Sequence, residues 1–220
     1  MKDIFAHREG SYIKVVIKED NKADVLFFAK DIRGALVWPT ADSPAYYCIL
    51  AQRDHLNARG KLPLVFLAEF QSNLPKEIFQ RLKKDARKYA CGQFYNDFRK
   101  ENGDLRELFY EFCRYQRIEN IELIKAPLSG KLHIGAALIK QWLIDKALEI
   151  MGSTTLLSQL KMMQVTDLKQ SPEAKFFAIN ALQMLIVSLE KEPWVPPMSF
   201  GLDQGAYARS REKADPGGWT

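Results

Sequence analysis

The sequence has few cysteines and histidines, and none of them stand close enough together to form a short metal motif. There are three of each, namely Cys48, Cys91, Cys113, His7, His55 and His133. Zinc and redox motifs need pairs only a few residues apart. We therefore expect reduced, mostly buried thiols and no zinc site built from close neighbours in sequence.

Long apolar runs are also missing. The most apolar stretch, Phe176 to Leu189, is shorter than the roughly 20 residues that cross a bilayer, and it includes the polar residues Asn180 and Gln183. No apolar segment follows the first charged residues, so we see no secretory signal. These absences predict a protein that does not enter a membrane and works in the cytoplasm.

Charge and hydrophobicity are those of an ordinary globular protein. Of the 220 residues, 47% are hydrophobic and 27% are charged, with a formal net charge of +5. This composition excludes wholesale disorder and fibrous repeats. The length allows one sizeable core, or a core with a small appendage.

Strand patterns fill the first third of the chain. Residues 12–18 alternate apolar and charged side chains, and further apolar runs bounded by turns occur at residues 25–29, 35–38, 45–51 and 64–70. Short strands joined by short turns are typical of an antiparallel meander. We therefore predict an α+β fold with a mostly antiparallel sheet of about five strands in the N-terminal third.

Helical spacing begins after this sheet. Pro75 suits a first helical turn, Asp104 and Glu107 resemble a capping box, and Gly152 would end a long helix over residues 131–151. Residues 119–125 could add one strand. The C-terminal two thirds are otherwise predicted to be helical.

Three segments follow from these patterns. We expect a strand-rich N-terminal part at residues 1–72 and a helical part at 73–192, packed on the sheet as one domain. A Pro/Gly-rich C-terminal tail at 193–220 cannot hold long regular elements.

The clearest functional feature is a basic amphipathic helix. Residues 74–100 carry eight lysines and arginines against three acidic residues. Apolar residues line one face, while the cations spread over the other. Such a face neutralises phosphates in nucleic-acid-binding proteins, although charged faces often serve only solvation.

The end of this segment can be interpreted in two ways. Phe94, Tyr95 and Phe98 fall among the cations if the helix continues past Gly92, and aromatic rings there could stack on bases. Alternatively the helix breaks near Gly92 and the aromatics pack elsewhere. Under the first interpretation, the predicted nucleic-acid-binding residues are Lys83, Lys84, Arg87, Lys88, Tyr95, Phe98 and Arg99.

A second feature is the run Leu67-Ala68-Glu69-Phe70-Gln71, in which an apolar strand ends in two polar side chains. It resembles the catalytic strand of the PD-(D/E)xK nucleases. The resemblance implies a divalent metal held by Glu69 with Asp42 or Asp54, and it puts Gln71 in the place of the family's lysine. Because Gln71 cannot act as a cationic or basic group, the motif is degenerate. A strand that simply turns polar before a helix gives the same letters.

A third feature is the segment from Ala126 to Ala136. His133 and Gly135 match an H-x-G-H box, and the segment resembles the nucleotide-binding loop of class I aminoacyl-tRNA synthetases. Ala136 stands where the last histidine belongs, and no KMSKS-like loop follows. An ordinary helix start explains the same residues.

Three functions therefore stay open. The sequence favours a protein that binds the phosphate backbone of DNA or RNA through the basic helix. The alternatives are a metal-dependent nuclease with a degenerate D...ExQ site, and a non-catalytic protein-interaction or structural module. A divalent metal is expected only for the nuclease.

Overall fold

The computed structural model describes residues 6–7, 10–11, 29–53, 56–98, 102–118, 120–126, 132–150, 155–163 and 175–191. Within these ranges the strands are β1 (Ala6–His7), β2 (Gly10–Ser11), β3 (Ala29–Val37), β4 (Ala45–Arg53), β5 (Leu64–Ser72), β6 (Gln93–Asn96), β7 (Glu122–Lys125) and β8 (Leu148–Glu149). The helices are α1 (Pro75–Tyr89), α2 (Gly103–Tyr115), α3 (Leu132–Ile144), α4 (Thr155–Met162) and α5 (Phe177–Lys191).

Six strands form one mixed sheet in the order β7-β6-β3-β4-β5-β8. The hairpins β3–β4 and β4–β5 are antiparallel, whereas β6 pairs parallel with β3, β7 with β6, and β8 with β5. β1 and β2 form a separate two-stranded pair.

The predicted fold class is therefore wrong. Three of the six strands lie after residue 90 and alternate with helices, so the chain is not a sheet followed by a helical remainder. The helix predicted over residues 131–151 ends at Ile144, because Leu148 and Glu149 pair with β5. The predicted strand at 12–18 and the tail at 193–220 lie outside the described residues.

Helices cover both faces of the sheet, and each face has its own core. On one face, α1 and α2 pack on residues such as Leu36, Tyr47 and Ile49. On the other, α3, α4 and α5 pack on the alternate residues of the same strands, including Tyr46 and Cys48. This alternation follows from the two-residue period of a strand.

α1 follows the predicted amphipathic pattern. Pro75 stands at its start, where a missing backbone N–H costs little, and the apolar side chains of Ile78 and Leu82 are buried against the sheet. The helix ends at Tyr89, because Ala90 adopts a left-handed conformation with φ 53°. The chain then enters β6, where Phe94 lies against Gly34 of β3 so closely that any β-carbon at position 34 would collide with its ring.

No helix within the described ranges is both long and apolar enough to span a membrane.

Candidate functional site

The parallel strands β3, β6 and β7 end at the same edge of the sheet. In the register of these strands, Leu36 lies beside Asn96, and Asn96 lies beside Lys125. In open α/β sheets, ligands bind outside the carboxyl ends of the strands. The residues that end β3 and β6 are therefore candidates for a ligand-binding site.

A buried tryptophan and a buried asparagine meet at this edge. The indole Nε1 of Trp38 donates a hydrogen bond to Oδ1 of Asn96 over 2.8 Å, and Nδ2 of Asn96 donates to the carbonyl of Leu36 over 2.7 Å. Asn96 is fully buried, and the Trp38 side chain is 3% exposed. Both the oxygen and the nitrogen of the Asn96 side-chain amide thus form hydrogen bonds with neutral partners.

Asp97 follows directly after β6 and is the carboxylate nearest in sequence to this pair. It is 6% exposed, and a charged group is rarely so buried unless it interacts with a partner. We name Trp38, Asn96 and Asp97 together the strand-end site. Asp42 lies in the exposed turn between β3 and β4, where Thr40 and Ser43 contact each other through their hydroxyls.

The strand-end site has few oxygen ligands for a divalent cation. Such an ion takes several oxygen ligands that converge on one point. In the parts of the chain that the structure describes, no group of three histidine, cysteine, aspartate or glutamate side chains could hold a metal ion. With Trp38 and Asn96 bound to each other, Asp97 is the one carboxylate of the site, and these three residues do not fit a metal.

Glu69 lies instead on the α3–α5 side of the sheet. Its carboxylate accepts hydrogen bonds from the hydroxyl of Tyr46 at 2.7 Å and from the backbone N–H groups of Thr155 and Leu156 at 2.5 and 3.3 Å. A carboxylate at a helix N-terminus satisfies unpaired N–H groups and favours the helix dipole. In the structure, Glu69 therefore fixes the start of α4.

The other described residues of the predicted metal site are exposed, whereas Glu69 is half-buried. Gln71 is exposed near the end of β5, Asp42 is exposed in its turn, and Asp54 lies outside the described residues. Burial raises the pKa of Tyr46 well above its ordinary value, and the neighbouring Cys48 and Glu69 add to the rise. Tyr46 is thus a neutral hydrogen-bond donor to Glu69. Metal binding by Glu69 with an aspartate stays a prediction.

The predicted basic face lies on the solvent side of α1. Four cations line one shallow depression of about 480 Å³ together with Gln80, namely Lys83, Lys84, Arg87 and Lys88. We name these four residues the α1 basic surface. Lys83 also donates a hydrogen bond to Oε1 of Gln116 over 2.8 Å, which ties α1 to the end of α2.

The acidic residues of α1 do not neutralise this surface. Asp85 is buried against the sheet, where it accepts hydrogen bonds from the hydroxyl of Tyr47 at 2.7 Å and from Nε of Arg81 at 3.0 Å. Glu77 accepts a hydrogen bond from the hydroxyl of Ser72. Both carboxylates therefore have partners outside the α1 basic surface.

The structure supports the second interpretation of the aromatic run, in which the helix ends near Gly92 and the aromatic side chains pack elsewhere. Because α1 ends before Gly92, Phe94 and Tyr95 lie in β6 and are fully buried. Phe98 is half-buried, with the guanidinium of Arg106 5.0 Å from its ring centre. Tyr95 in this position cannot stack on a base, so that part of the predicted binding site is corrected; Arg99 lies outside the described residues.

The third sequence feature has a packing explanation. A β-carbon on Gly135 would come within 2.1 Å of the Gln183 side chain, so the glycine lets α3 approach α5 closely. The side chain of His133 lies outside what the structure describes. Gly135 is therefore needed for helix packing whether or not a nucleotide binds.

The sequence interpretation missed Trp38, Asn96 and Asp97. The sequence signal for this site was the run Phe94-Tyr95-Asn96-Asp97, which follows Gly92 and Gln93. In this run, two aromatic residues are followed by two polar ones. That pattern suits a short strand whose end turns polar. The partner strand is 58 residues away at Trp38, and only the fold brings the two ends together.

Comparisons with known proteins show likeness in structure. No protein-family model matches the chain, and no curated protein matches it in sequence. The large terminase of bacteriophage HK97 superposes with a TM-score of 0.53 at 6% identity, over 75% of this chain and 42% of that one.

Two further solved structures are similar at lower scores. The large terminase nuclease domain of bacteriophage SPP1, with bound Mn, has a TM-score of 0.48 at 15% identity, covering 81% of this chain and 97% of that one. The fowlpox virus resolvase in complex with Holliday junction DNA has a TM-score of 0.34 at 11% identity, covering 73% and 96%.

The sheet has the arrangement of a ribonuclease H-like fold. An antiparallel meander of three strands, β3 to β5, is extended beyond its first strand by the parallel strands β6 and β7, with helices on both faces. The likeness to the HK97 large terminase supports this fold for the chain.

Proposed function

We propose that this chain acts on DNA as a domain of the nuclease fold, and that the α1 basic surface holds the phosphate backbone. The observation that carries the proposal is the gathering of Lys83, Lys84, Arg87 and Lys88 around one depression on a solvent-facing helix. Each lysine or arginine that meets a phosphate releases condensed counterions, which drives binding. The fold shared with the HK97 large terminase supports DNA as the polyanion.

The local electrostatics support the same surface. Arg81, the one arginine of α1 that is paired with a carboxylate, faces Asp85 and lies outside the depression. Lys84 and Arg87 are exposed, and the ammonium of Lys88 lies 4.9 Å from the ring centre of Tyr89. The depression thus combines a fixed position on a rigid helix with cations that face solvent.

A salt titration of DNA binding tests this proposal. We expect a labelled duplex to bind the chain with an affinity that falls steeply as the salt concentration rises. Replacing three cations together, as Lys84→Gln, Arg87→Gln and Lys88→Gln, should reduce the slope of log affinity against log salt by about 2 to 3. RNA of the same sequence serves as the competing ligand.

The matched control carries the same loss of charge on the opposite side of the sheet. Lys140, Lys146 and Lys161 are exposed on or beside α3 and α4. Lys140→Gln, Lys146→Asn and Lys161→Gln should leave the slope nearly unchanged, with asparagine chosen at position 146 because its φ is 53°. Equal effects of the two triple variants would show that total charge governs binding and would end the proposal.

Metal-dependent cleavage of DNA is a second candidate function, favoured by the buried carboxylate of Asp97 beside the end of β3. Trp38, Asn96 and Asp97 by themselves do not fit a metal. Incubation of supercoiled plasmid with Mg²⁺ or Mn²⁺ tests this candidate, which requires nicking by the wild-type chain and its loss in Asp97→Asn. A wild-type chain that binds DNA without nicking it under these conditions contradicts this candidate and leaves DNA binding in place.

A further inference from the structure

A groove lies where the C-terminal ends of α1 and α2 come together, next to the α1 basic surface. Its volume is about 470 Å³, and its lining includes Ala86, Arg87, Ala90, Arg117, Ile118 and Ile121. We name it the helix-end groove. Arg87 lines both the groove and the depression of the α1 basic surface, so the two lie side by side.

Helix C-termini normally carry partial negative charge, which disfavours an anion. Here several carbonyls in the last turn of each helix accept hydrogen bonds from the chain's own N–H groups. In α1, the N–H of Cys91 donates to the carbonyl of Ala86 over 2.9 Å, and in α2 the N–H of Ile118 donates to Cys113 over 2.9 Å. The exposed guanidiniums of Arg87 and Arg117 are then the strongest charges at the groove.

The groove also has an apolar wall. Ala86 is 4% exposed, Ile118 and Ile121 are half-buried, and all three pack against the core on the α1 side of the sheet. A concave site of a few hundred Å³ with apolar walls and a few charged groups has the size of a small-molecule pocket. A double helix is a rod too wide to enter it, whereas a single unpaired nucleotide has a flat apolar base and a charged phosphate.

We infer that the helix-end groove takes an unpaired nucleotide at the end of a DNA duplex whose backbone lies on the α1 basic surface. Arg87 and Arg117 contact its phosphate, and Ile118 and Ile121 cover its base. The inference rests on the proposed function, which it narrows to DNA with a single-stranded end. Because Arg87 lines both sites, the groove lies beside the duplex contact, where the end of one strand can reach it.

The positions of the two arginines allow a clean experiment. Arg117 has φ 50°, a left-handed conformation that asparagine tolerates better than most residues. Arg117→Asn therefore removes the guanidinium with little backbone strain. Arg114, in the last turn of α2, is also exposed and lines a neighbouring depression with Glu107 and Tyr110. That depression shares Ile118 and Ile121 with the helix-end groove but contains neither Arg87 nor Arg117, so Arg114→Gln is the matched control for loss of a nearby guanidinium.

Two probes separate the groove from the duplex contact: a short blunt duplex, and the same duplex with a short unpaired thymidine end, each followed by fluorescence anisotropy. We expect the wild-type chain to bind the second probe about 10-fold more tightly, because apolar contact with the base and phosphate contacts add to the duplex affinity. Arg117→Asn should remove this preference without changing the affinity for the blunt duplex, and Arg114→Gln should retain it. Arg87→Gln should weaken binding of both probes, since Arg87 belongs to both surfaces.

The outcomes distinguish the inference from the proposed function. If the wild-type chain binds both probes equally, the inference fails and the proposed function stands. A loss of preference in Arg114→Gln equal to that in Arg117→Asn also overturns the inference. If neither probe binds at low salt, the proposed function fails together with the inference.

Discussion

The helices on the two faces of the sheet are buried to very different extents. On one face, α1 buries a stripe of apolar residues and leaves its cations in solvent. On the other, every residue from Phe177 to Ser188 of α5 is buried, because the sheet, α3 and α4 enclose this helix. A helix that is apolar all round belongs to a core. Of these two helices, α1 is therefore the one that offers a charged surface to a large ligand.

The buried polar residues differ between the faces as well. Gln159 of α4 accepts hydrogen bonds from the N–H groups of Ala178 and Ile179 near the start of α5, at 2.9 and 3.4 Å. On the α1 side, Asp85 links the helix to Tyr47 of the sheet. Gln159 thus joins helix to helix in one core, whereas Asp85 fixes an amphipathic helix to its sheet in the other.

The largest expected effect compares one leucine from each face. Leu182 of α5 and Leu82 of α1 are 0% and 1% exposed. Cavity formation should make Leu182→Ala cost about 3–5 kcal/mol and Leu82→Ala about 2–3 kcal/mol of the free energy of unfolding, because the enclosed helix has less freedom to collapse. Urea denaturation followed by circular dichroism measures both. A larger loss for Leu82→Ala would reverse the comparison of the two faces.

A smaller effect is expected for the two carboxylates that hold helices. Glu69→Gln removes a charge from the N-terminus of α4 and should cost about 1–3 kcal/mol. Asp85→Asn keeps an acceptor for Tyr47 and should cost about 1 kcal/mol. Glu111→Gln, at an exposed position of α2, is the control and should stay within about 0.5 kcal/mol of wild type. A Glu69→Gln variant as stable as this control would contradict the capping role of Glu69.

Alkaline pH should weaken both faces through buried tyrosines. Burial raises the pKa of Tyr46 and Tyr47 well above their ordinary value of 10.0, and the hydrogen bond to Asp85 adds to the rise at Tyr47. The folded chain therefore keeps phenol protons that the unfolded chain loses. Stability should be unaffected by these groups below about pH 10 and should fall above it, by about 1.4 kcal/mol per pH unit for each tyrosine.

Phenylalanine substitutions test this alkaline effect. Tyr46→Phe and Tyr47→Phe should each flatten the fall of stability above pH 10, as measured by urea denaturation at a series of pH values. Burial also raises the pKa of Cys48 above its ordinary range and that of Cys91 to about 12, so a shallower loss that starts near pH 9 should remain in both variants. A fall above pH 10 that is unchanged in either variant would show that its tyrosine does not contribute.

The sequence predicts local elements of this fold well and long-range pairing poorly. β4, β5 and α1 lie close to their predicted positions, because aromatic and β-branched runs and an amphipathic period are local signals. β6 and β7 have four residues each. β6 pairs in parallel with β3, about 60 residues away, and β7 pairs in parallel with β6. No local pattern encodes such a crossover, so the antiparallel α+β prediction failed at this point.

The candidate functional residues show the same difference between local signals and long-range pairing. The cations of α1 were found from their spacing on one helix, and the structure places four of them around one depression. The strand-end site could not be found, since Trp38 and Asn96 contact each other only through the parallel pairing of β3 with β6. The first interpretation of the aromatic run places Tyr95 among the cations, because no glycine or asparagine stands at position 90, where a left-handed alanine ends α1.

The smallest expected effect concerns the strand-end site, where the α1 face meets the edge of the sheet. Trp38→Phe keeps an aromatic ring near Phe79, whose centre is 6.3 Å from that of Trp38, but removes the donor to Asn96. The loss should be about 1 kcal/mol of the free energy of unfolding, with unchanged affinity for DNA, because Trp38 is buried while the α1 basic surface is exposed. Unchanged stability with weaker DNA binding would mean that the duplex reaches the strand ends. The DNA-binding surface would then lie at the sheet edge instead of on α1.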